Sequence, residues 1–436
     1  MDRLLQNRNF RLHWASVAIS QIGSFFTMVA LPWLVLYTTD NDPVIMSTVL
    51  ATTSLPHGFF ILFGGALADR VSPLRVLYIS RAAFVLVMGS LSLLVYAGLI
   101  PLWLIYLYAF VLGTLGAFSI PSSQALLPSL LPPAALGQAN GIVMATMQVA
   151  QMVGPVLAGW LIWFGRSLTG VPAGIVDYAS LALAFAVDAG AVLCAVILMS
   201  FMRVEVMPRR DGHLFRMVAQ GFLFCWHDTG IRLVLSYLVM ISFCLHGPLL
   251  SALPLFTKLE LGLSEGAYGS LYAMLGMGTV VGAGIAMLKV SGARRLGEVT
   301  LCCDLISGLG FYSMAQFHNP WIAGGLLFIM GVCSGIIMVA GTTWFQHRTP
   351  EAYMGRAMGV LMFAIIGLIP LSATLSGFLI EHSSVTLAMS AAGAVMALLA
   401  GIGLLLPQVR NMGDLPPLDA RALISLKLHY GQEPAP

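Results

Sequence analysis

Charge is what this sequence has least of. Only 9% of its 436 residues are Lys, Arg, Asp or Glu, against 58% apolar residues before 45 glycines are counted. A soluble chain averages about 25% charged residues, and so few could not cover a water-facing surface. A disordered chain, a coiled coil and a nucleic-acid binder are excluded. The net charge of +3 is small, so the positions of the cations matter more than their number. The six cysteines (Cys194, Cys225, Cys244, Cys302, Cys303, Cys333) show no C-x-x-C spacing and read as buried thiols rather than a zinc clip or redox pair. No G-x-x-x-x-G-K-[ST], HExxH or GxGD sequence occurs, and a single Asp228-Thr229-Gly230 stands alone. The reading is therefore no enzyme, no cofactor and no metal.

What the chain does have is long apolar runs. A bilayer core of about 30 Å needs about 20 apolar residues in a helix. Twelve such runs are found, near 10–37, 45–68, 74–98, 101–127, 138–164, 175–202, 230–257, 266–289, 297–317, 320–345, 355–381 and 385–407. Helices satisfy their own backbone hydrogen bonds in lipid, so an all-α polytopic membrane protein is expected. The first run is too long for a signal peptide and is expected to be retained. Short loops rich in Lys and Arg stay cytoplasmic, and 18 of the 21 cations fall on one side. Arg166 and Lys258 lie on the other, with Arg81 inside the third run. Both termini are expected in the cytoplasm, at a bacterial-type inner membrane.

The chain also repeats itself. A shift of 218 carries Gly137-Gln138-Ala139-Asn140-Gly141 onto Gly355-Arg356-Ala357-Met358-Gly359, Gly113 onto Gly331 and Gly159 onto Gly377. A shift of 222 places Ala30-Leu31-Pro32 on Ala252-Leu253-Pro254. Transporters are often built from repeated halves. The expected organisation is a six-helix bundle at 1–202, a cytoplasmic linker at 203–229, a second bundle at 230–407 and a polar, mobile tail at 408–436. In the linker, Leu214, Phe215, Val218, Phe222 and Cys225 share one helical face, as in a helix lying on the membrane surface.

The segment from Gly65 through Asp69-Arg70-Val71-Ser72 to Arg75 resembles the signature loop of the major facilitator superfamily, with Ser72 where glycine is usual. Gly154-Pro155-Val156-Leu157-Ala158-Gly159 resembles the antiporter motif of exporters in that superfamily. The opening Asn7-Arg8-Asn9-Phe10-Arg11, Ser20-Gln21-Ile22-Gly23 and Asp188 resemble the drug:proton antiporter branch of macrolide, tetracycline and enterobactin exporters. That branch commonly has an acid after the glycine, where this chain has Ser24. The resemblance implies the major facilitator fold: twelve transmembrane helices in two pseudo-symmetric six-helix bundles. It further implies a secondary active transporter, with proton-coupled export of a small amphipathic drug or siderophore-like molecule by alternating access. Import or facilitated passage of a metabolite uses the same fold. A monomer in the lipid bilayer, with a small-molecule substrate and protons as its partners, is expected.

Individual residues follow from depth and chemistry. Gly65, Asp69, Arg70 and Arg75 form a candidate conformational latch, Asp69 being placed to approach the start of the eleventh run near Gly355. Charges inside a membrane are costly and mark function or pairing. Asp188 lies about midway along the sixth run and is a candidate proton-coupling group, with His57 and His246 as alternatives. Arg81 and Asp304 are shallower, a depth that allows snorkelling, and are expected to be structural. The helices that line the superfamily's cavity contain no mid-membrane carboxylate, which suits a neutral, zwitterionic or amphipathic substrate. Gln21, Ser24, Gln124, Asn140, Gln148, Gln151, Tyr237 and Thr342 are the candidate cavity residues.

Overall fold

The computed structural model describes residues 6–170, 177–202, 214–289, 296–350 and 354–414, and the regular elements among them are all helical. The first half holds α1 (Arg8–Thr38), α2 (Pro43–Arg70), α3 (Pro73–Tyr96), α4 (Leu102–Leu130), α5 (Pro133–Thr169) and α6 (Tyr178–Ser200). A connecting helix α7 (Leu214–His227) follows. The seventh run is α8 (Thr229–Ile241) and α9 (Gly247–Leu255), joined and followed by π-helical turns at Ser242–His246 and Phe256–Glu260. Then come α10 (Glu265–Lys289), α11 (Leu296–Gln316), α12 (Pro320–Arg348), α13 (Met354–Ile366), α14 (Ile369–His382), α15 (Val385–Leu405) and a single turn α16 (Pro407–Arg410).

Local chemistry sets the ends. Pro43, Pro73, Pro133 and Pro320 open their helices, where the missing N–H costs nothing. Asp42, Asp177, Asp228, Asn319 and Ser384 cap free N–H groups; Asp42 accepts from the amides of Val44 and Ile45 at 2.8 and 2.9 Å. Gly170 ends α5 at φ +67°, a left-handed conformation that favours glycine.

Ten helical stretches among the described residues are long and apolar enough to cross a bilayer. Expected runs two and nine, now α2 and α11, fall outside that set. Glu298 and Asp304 lower the hydropathy of α11, and much of the apolar second half of α2 has side chains outside the described residues.

Within the first half α1 packs on α6 and α5, and α2 on α4; within the second α10 packs on α12, and α11 on α15. Gly113 of α4 presses against the carbonyl of Thr53 in α2, and its repeat partner Gly331 of α12 presses against the carbonyl of Leu275 in α10. The same sequence repeat therefore makes the same close helix contact twice. The halves meet through α5 with α10 and α2 with α14.

These meetings are uneven along the molecule. At the end opposite the arginine-rich loops, here the cation-poor end, one apolar core contains Trp33, Leu34, Ala158 and Ile162 from the first half with Leu253, Phe256, Tyr268 and Ile380 from the second. At the cation-rich end the halves keep separate cores, one around Phe10, Leu77, Leu127 and Met199, the other around Ile231, Trp344, Phe345 and Leu361. Among the described residues, the halves share one core at one end and keep separate cores at the other, where α2 still touches α7.

Several expectations are corrected. Residues 407–414 are docked rather than mobile: Met412 is buried and the Trp344 indole donates to the Gly413 carbonyl at 2.8 Å; the tail beyond 414 lies outside the described residues. Among the described side chains of α7, Phe224 and Cys225 are packed, and Phe222 is exposed and stacks on Trp226, leaving the expected surface-lying helix untested. Cys194 and Cys302 are exposed. Arg81 and Asp304 do not snorkel but are buried.

Candidate functional site

The motif glycines of α5 explain how the sealed end closes. A Cβ on Gly159 would lie 2.8 Å from the carbonyl of Glu265 and 3.0 Å from Cα of Gly266, and Gly269 of α10 presses against the Pro155 carbonyl. Gly154 faces inward, against the ring of Phe25 on α1. Bare backbone on both helices thus lets α5 and α10 touch directly. The repeat-related contact has Gly377 of α14 against Ser47 and the Pro43 carbonyl of α2.

A polar clamp sits over this contact. Tyr37 of α1 donates to Glu265 Oε1 at 2.5 Å, and Arg166 of α5 donates to the Tyr37 hydroxyl at 2.8 Å while pairing with Glu265 at 3.4 Å. Lys258 lies 3.9 Å from the Tyr37 ring centroid and 5.3 Å from that of Trp33. Glu265 is only 1% exposed and Arg166 14%. Two residues of the second half and three of the first therefore share one network, in which a carboxylate out of water is answered by two cations. Sequence reasoning missed this set. Its signal was present, because Arg166 and Lys258 are the isolated cations of that side and Glu265 stands seven residues beyond Lys258.

At mid-depth, Asp188 is wholly buried on α6 and turned onto α1, where the Thr27 hydroxyl donates to Oδ2. Gly23 makes this possible: a Cβ there would lie 2.9 Å from Asp188 Oδ1 and 2.7 Å from Cβ of Ala191. Oδ1 itself has no hydrogen-bond partner among the described residues. The carboxyl of this chain thus reaches, from the sixth run, the stretch of α1 where the related branch places its acid, one residue from Ser24. His57 of α2 packs on Gly116 of α4, whose Cβ would lie 3.1 Å from Nδ1. His246 closes the π-helical turn of the seventh run, its Nδ1 without a partner among the described residues.

That π turn lies beside the break at Gly367 and Leu368 in the eleventh run. Ser242 donates to the Ile365 carbonyl at 2.8 Å and Ser372 donates to the Phe243 carbonyl. Each hydroxyl answers backbone freed by the other run's irregularity. The apolar patterning of the sequence gave no sign of either interruption, since π turns keep the same residue types.

Ser24, Gln124 and Asn140 are exposed on α1, α4 and α5, and Gln21, Gln148, Gln151 and Thr342 are half-buried. Tyr237 is a correction: it is buried and donates to Asp304 Oδ2 at 2.8 Å, tying α8 to α11 rather than lining a cavity. Arg75 is exposed. Gly65 and the Asp69 and Arg70 side chains lie outside the described residues, as does Gly355 as a contact for them.

Comparison with known proteins now adds to this geometry. The sequence profile of the Major Facilitator Superfamily matches residues 14–365. The chain belongs to the major facilitator superfamily. It is 26% identical over 404 residues to the multidrug efflux pump Tap of Mycolicibacterium fortuitum, covering 89% of this chain and 93% of Tap. It is 26% identical to the enterobactin exporter EntS of Escherichia coli, over 82% of each chain, and 24% identical to the staphyloferrin A transporter of Staphylococcus aureus, over 81% and 85%. Among solved structures, a POT family transporter in complex with 5-aminolevulinic acid aligns with TM-score 0.74 at 10% identity, over 92% of this chain and 97% of that one. A D-xylose-proton symporter aligns with TM-score 0.66 at 14% identity, over 95% and 100%. The superfamily member described here is a multi-pass membrane transporter.

Proposed function

We propose that this superfamily transporter is a proton-driven exporter of a small amphipathic molecule, working by alternating access between the units 1–202 and 230–407, with 203–229 as linker and 408–436 as tail. Twelve crossings, both termini in the cytoplasm of a bacterial-type inner membrane, and a monomeric state belong to this reading. The observation that carries it is the asymmetry of the two ends: a shared core, a glycine contact at the antiporter motif and a charged clamp at the cation-poor end, against separate cores at the other. With the positive ends inside, this is an inward-open exporter awaiting its load. The exposed Ser24, Gln124 and Asn140, with Gln21, Gln148, Gln151 and Thr342 beside them, offer hydrogen bonds but no charge to that load. Asp188 is the proton-coupling group in this account, and each 100 mV of potential supplies about 2.3 kcal/mol per charge moved. His57 and His246 are assigned to helix packing and to the π turn.

The test is uptake into inverted membrane vesicles of a panel containing a macrolide, a tetracycline and a catecholate siderophore, with and without a proton uncoupler. Uptake that the uncoupler and Asp188→Asn both abolish is expected. Transport indifferent to the uncoupler, or accumulation only in right-side-out vesicles, would replace the exporter by a facilitator or importer.

A further inference from the structure

The first half buries two opposite charges that never touch. Arg81 of α3 is 8% exposed and Asp188 of α6 is 0% exposed. Both are held by the same helix, α1. The Arg81 guanidinium donates to Ser16 Oγ at 3.2 Å, to Ser20 Oγ at 3.1 Å and to the Met199 sulfur at 3.3 Å. Asp188 accepts from Thr27 on the same helix. No carboxylate contacts Arg81 and no cation contacts Asp188 among the described residues.

The α1 residues involved are His13, Ser16, Ser20, Gly23 and Thr27, spaced three, four, three and four apart. That spacing places them on one stripe. Beyond Thr27 the helix is sealed, with Val29, Ala30, Leu34 and Val35 fully buried and apolar. The stripe therefore runs from the cation-rich end to Asp188 and stops there. A buried guanidinium satisfied only by hydroxyls and a thioether is an expensive choice in a membrane protein, and a purely structural tie would need no charge.

We propose that Arg81 is the positioning counter-charge of Asp188, favouring its ionised form while the protein is sealed at the cation-poor end, so that the coupling proton leaves toward the cation-rich end. This rests on Asp188 being the coupling carboxyl. Seven residues separate Ser20 from Thr27 on α1 and Arg81 from Met88 on α3, and the Thr27 hydroxyl lies 3.8 Å from the Met88 sulfur. These two helices place the charges about 10 Å apart along the axis, and the eleven residues from Asp188 to Met199 on α6 place them about 16 Å apart. At an effective dielectric constant of about 20, such separations shift the proton affinity of a carboxyl about five- to tenfold, or about one pH unit at most.

Other groups around Asp188 do not supply such a charge. On α1, His13 is buried beside Arg81, with Nδ1 unpartnered among the described residues, while Arg8 and Arg11 are exposed at the start of the helix. On α3, Arg75 and Tyr78 are exposed. On α5, Arg166 is engaged in the clamp at the far end, and Asp177 caps the start of α6.

The experiment is an infrared titration of the protein in lipid nanodiscs, reading the protonated-carboxyl band that Asp188→Asn removes. Arg81→Gln should move the midpoint of that band about one unit toward higher pH, and Arg81→Lys should leave it near wild type. An unmoved midpoint in Arg81→Gln overturns the proposal. A wild-type spectrum with no band sensitive to Asp188→Asn overturns instead the assignment of Asp188 on which it rests. Should Arg81→Gln fail to reconstitute, Arg81→Gln with Asp188→Asn decides: recovery of yield and thermal midpoint relative to the single variants supports mutual dependence, and additive losses refute it.

Discussion

Glu265→Gln is the substitution that separates a working clamp from an ornamental one. Its carboxylate is 1% exposed, 3.4 Å from the Arg166 guanidinium, and accepts from Tyr37 at 2.5 Å. At that separation the gross attraction is about 5 kcal/mol at an effective dielectric constant of about 20, and desolvation of both ions offsets much of it. Glutamine keeps the size and the bond from Tyr37 and removes the charge, so a net loss of about 2 kcal/mol is the working figure. If the clamp forms only when this end is closed, the closed-to-open ratio falls about thirtyfold. The assay is the distance distribution between spin labels at Ser167 and Ser383, both exposed at the cation-poor end, in a background with the native cysteines replaced by serine. A second, longer distance should gain population in Glu265→Gln and likewise in Arg166→Gln, and the double variant should lose no more than either alone. Identical distributions in all four proteins would refute the clamp as a device that holds the closed state.

Three other outcomes follow from the same geometry. Gly159→Leu drives a side chain into the Glu265 and Gly266 backbone 2.8–3.0 Å away; it should abolish vesicle transport while leaving expression intact, and wild-type transport would show that α5 and α10 need not touch. Gly23→Val puts methyl groups where Asp188 Oδ1 and Ala191 now sit and should cost several kcal/mol of stability by overpacking, read as a fall in thermal midpoint in detergent. Hydrogen bonds from Ser180 and Thr169 outweigh burial and hold the Asp177 carboxyl below its usual range. Its contribution is therefore present above the unfolded pKa and lost as pH falls through the depressed one; Asp177→Ala should cost about 1 kcal/mol at neutral pH and flatten the acid side of the stability profile.

Much of the fold was legible because membranes leave the sequence few choices. Apolar length located the helices, and the repeat that carries Gly113 onto Gly331 marked a close contact that recurs in the structure. What stayed hidden was anything made by irregular backbone or by pairing across the halves. The π turn at Ser242–His246 and the break at Gly367 have the same composition as regular helix. Asp188 was visible as a buried acid, but that it would face α1 depended on the bare side of Gly23, which only packing reveals. Tyr237 looked like a cavity residue until Asp304 claimed its hydroxyl. Glu265 drew no reading from the sequence because its partners, Tyr37 and Arg166, lie 228 and 99 residues away.

The account stands most directly on one measurement: the Ser167–Ser383 label distance at one end and a Gln138–Gln346 distance at the other, recorded together in lipid nanodiscs at acidic and at alkaline pH. The account predicts opposite changes, one end lengthening as the other shortens, and a single pH-independent distribution at both ends in Asp188→Asn. Ends that move together, or an Asp188→Asn protein that responds to pH as the wild type does, would contradict it.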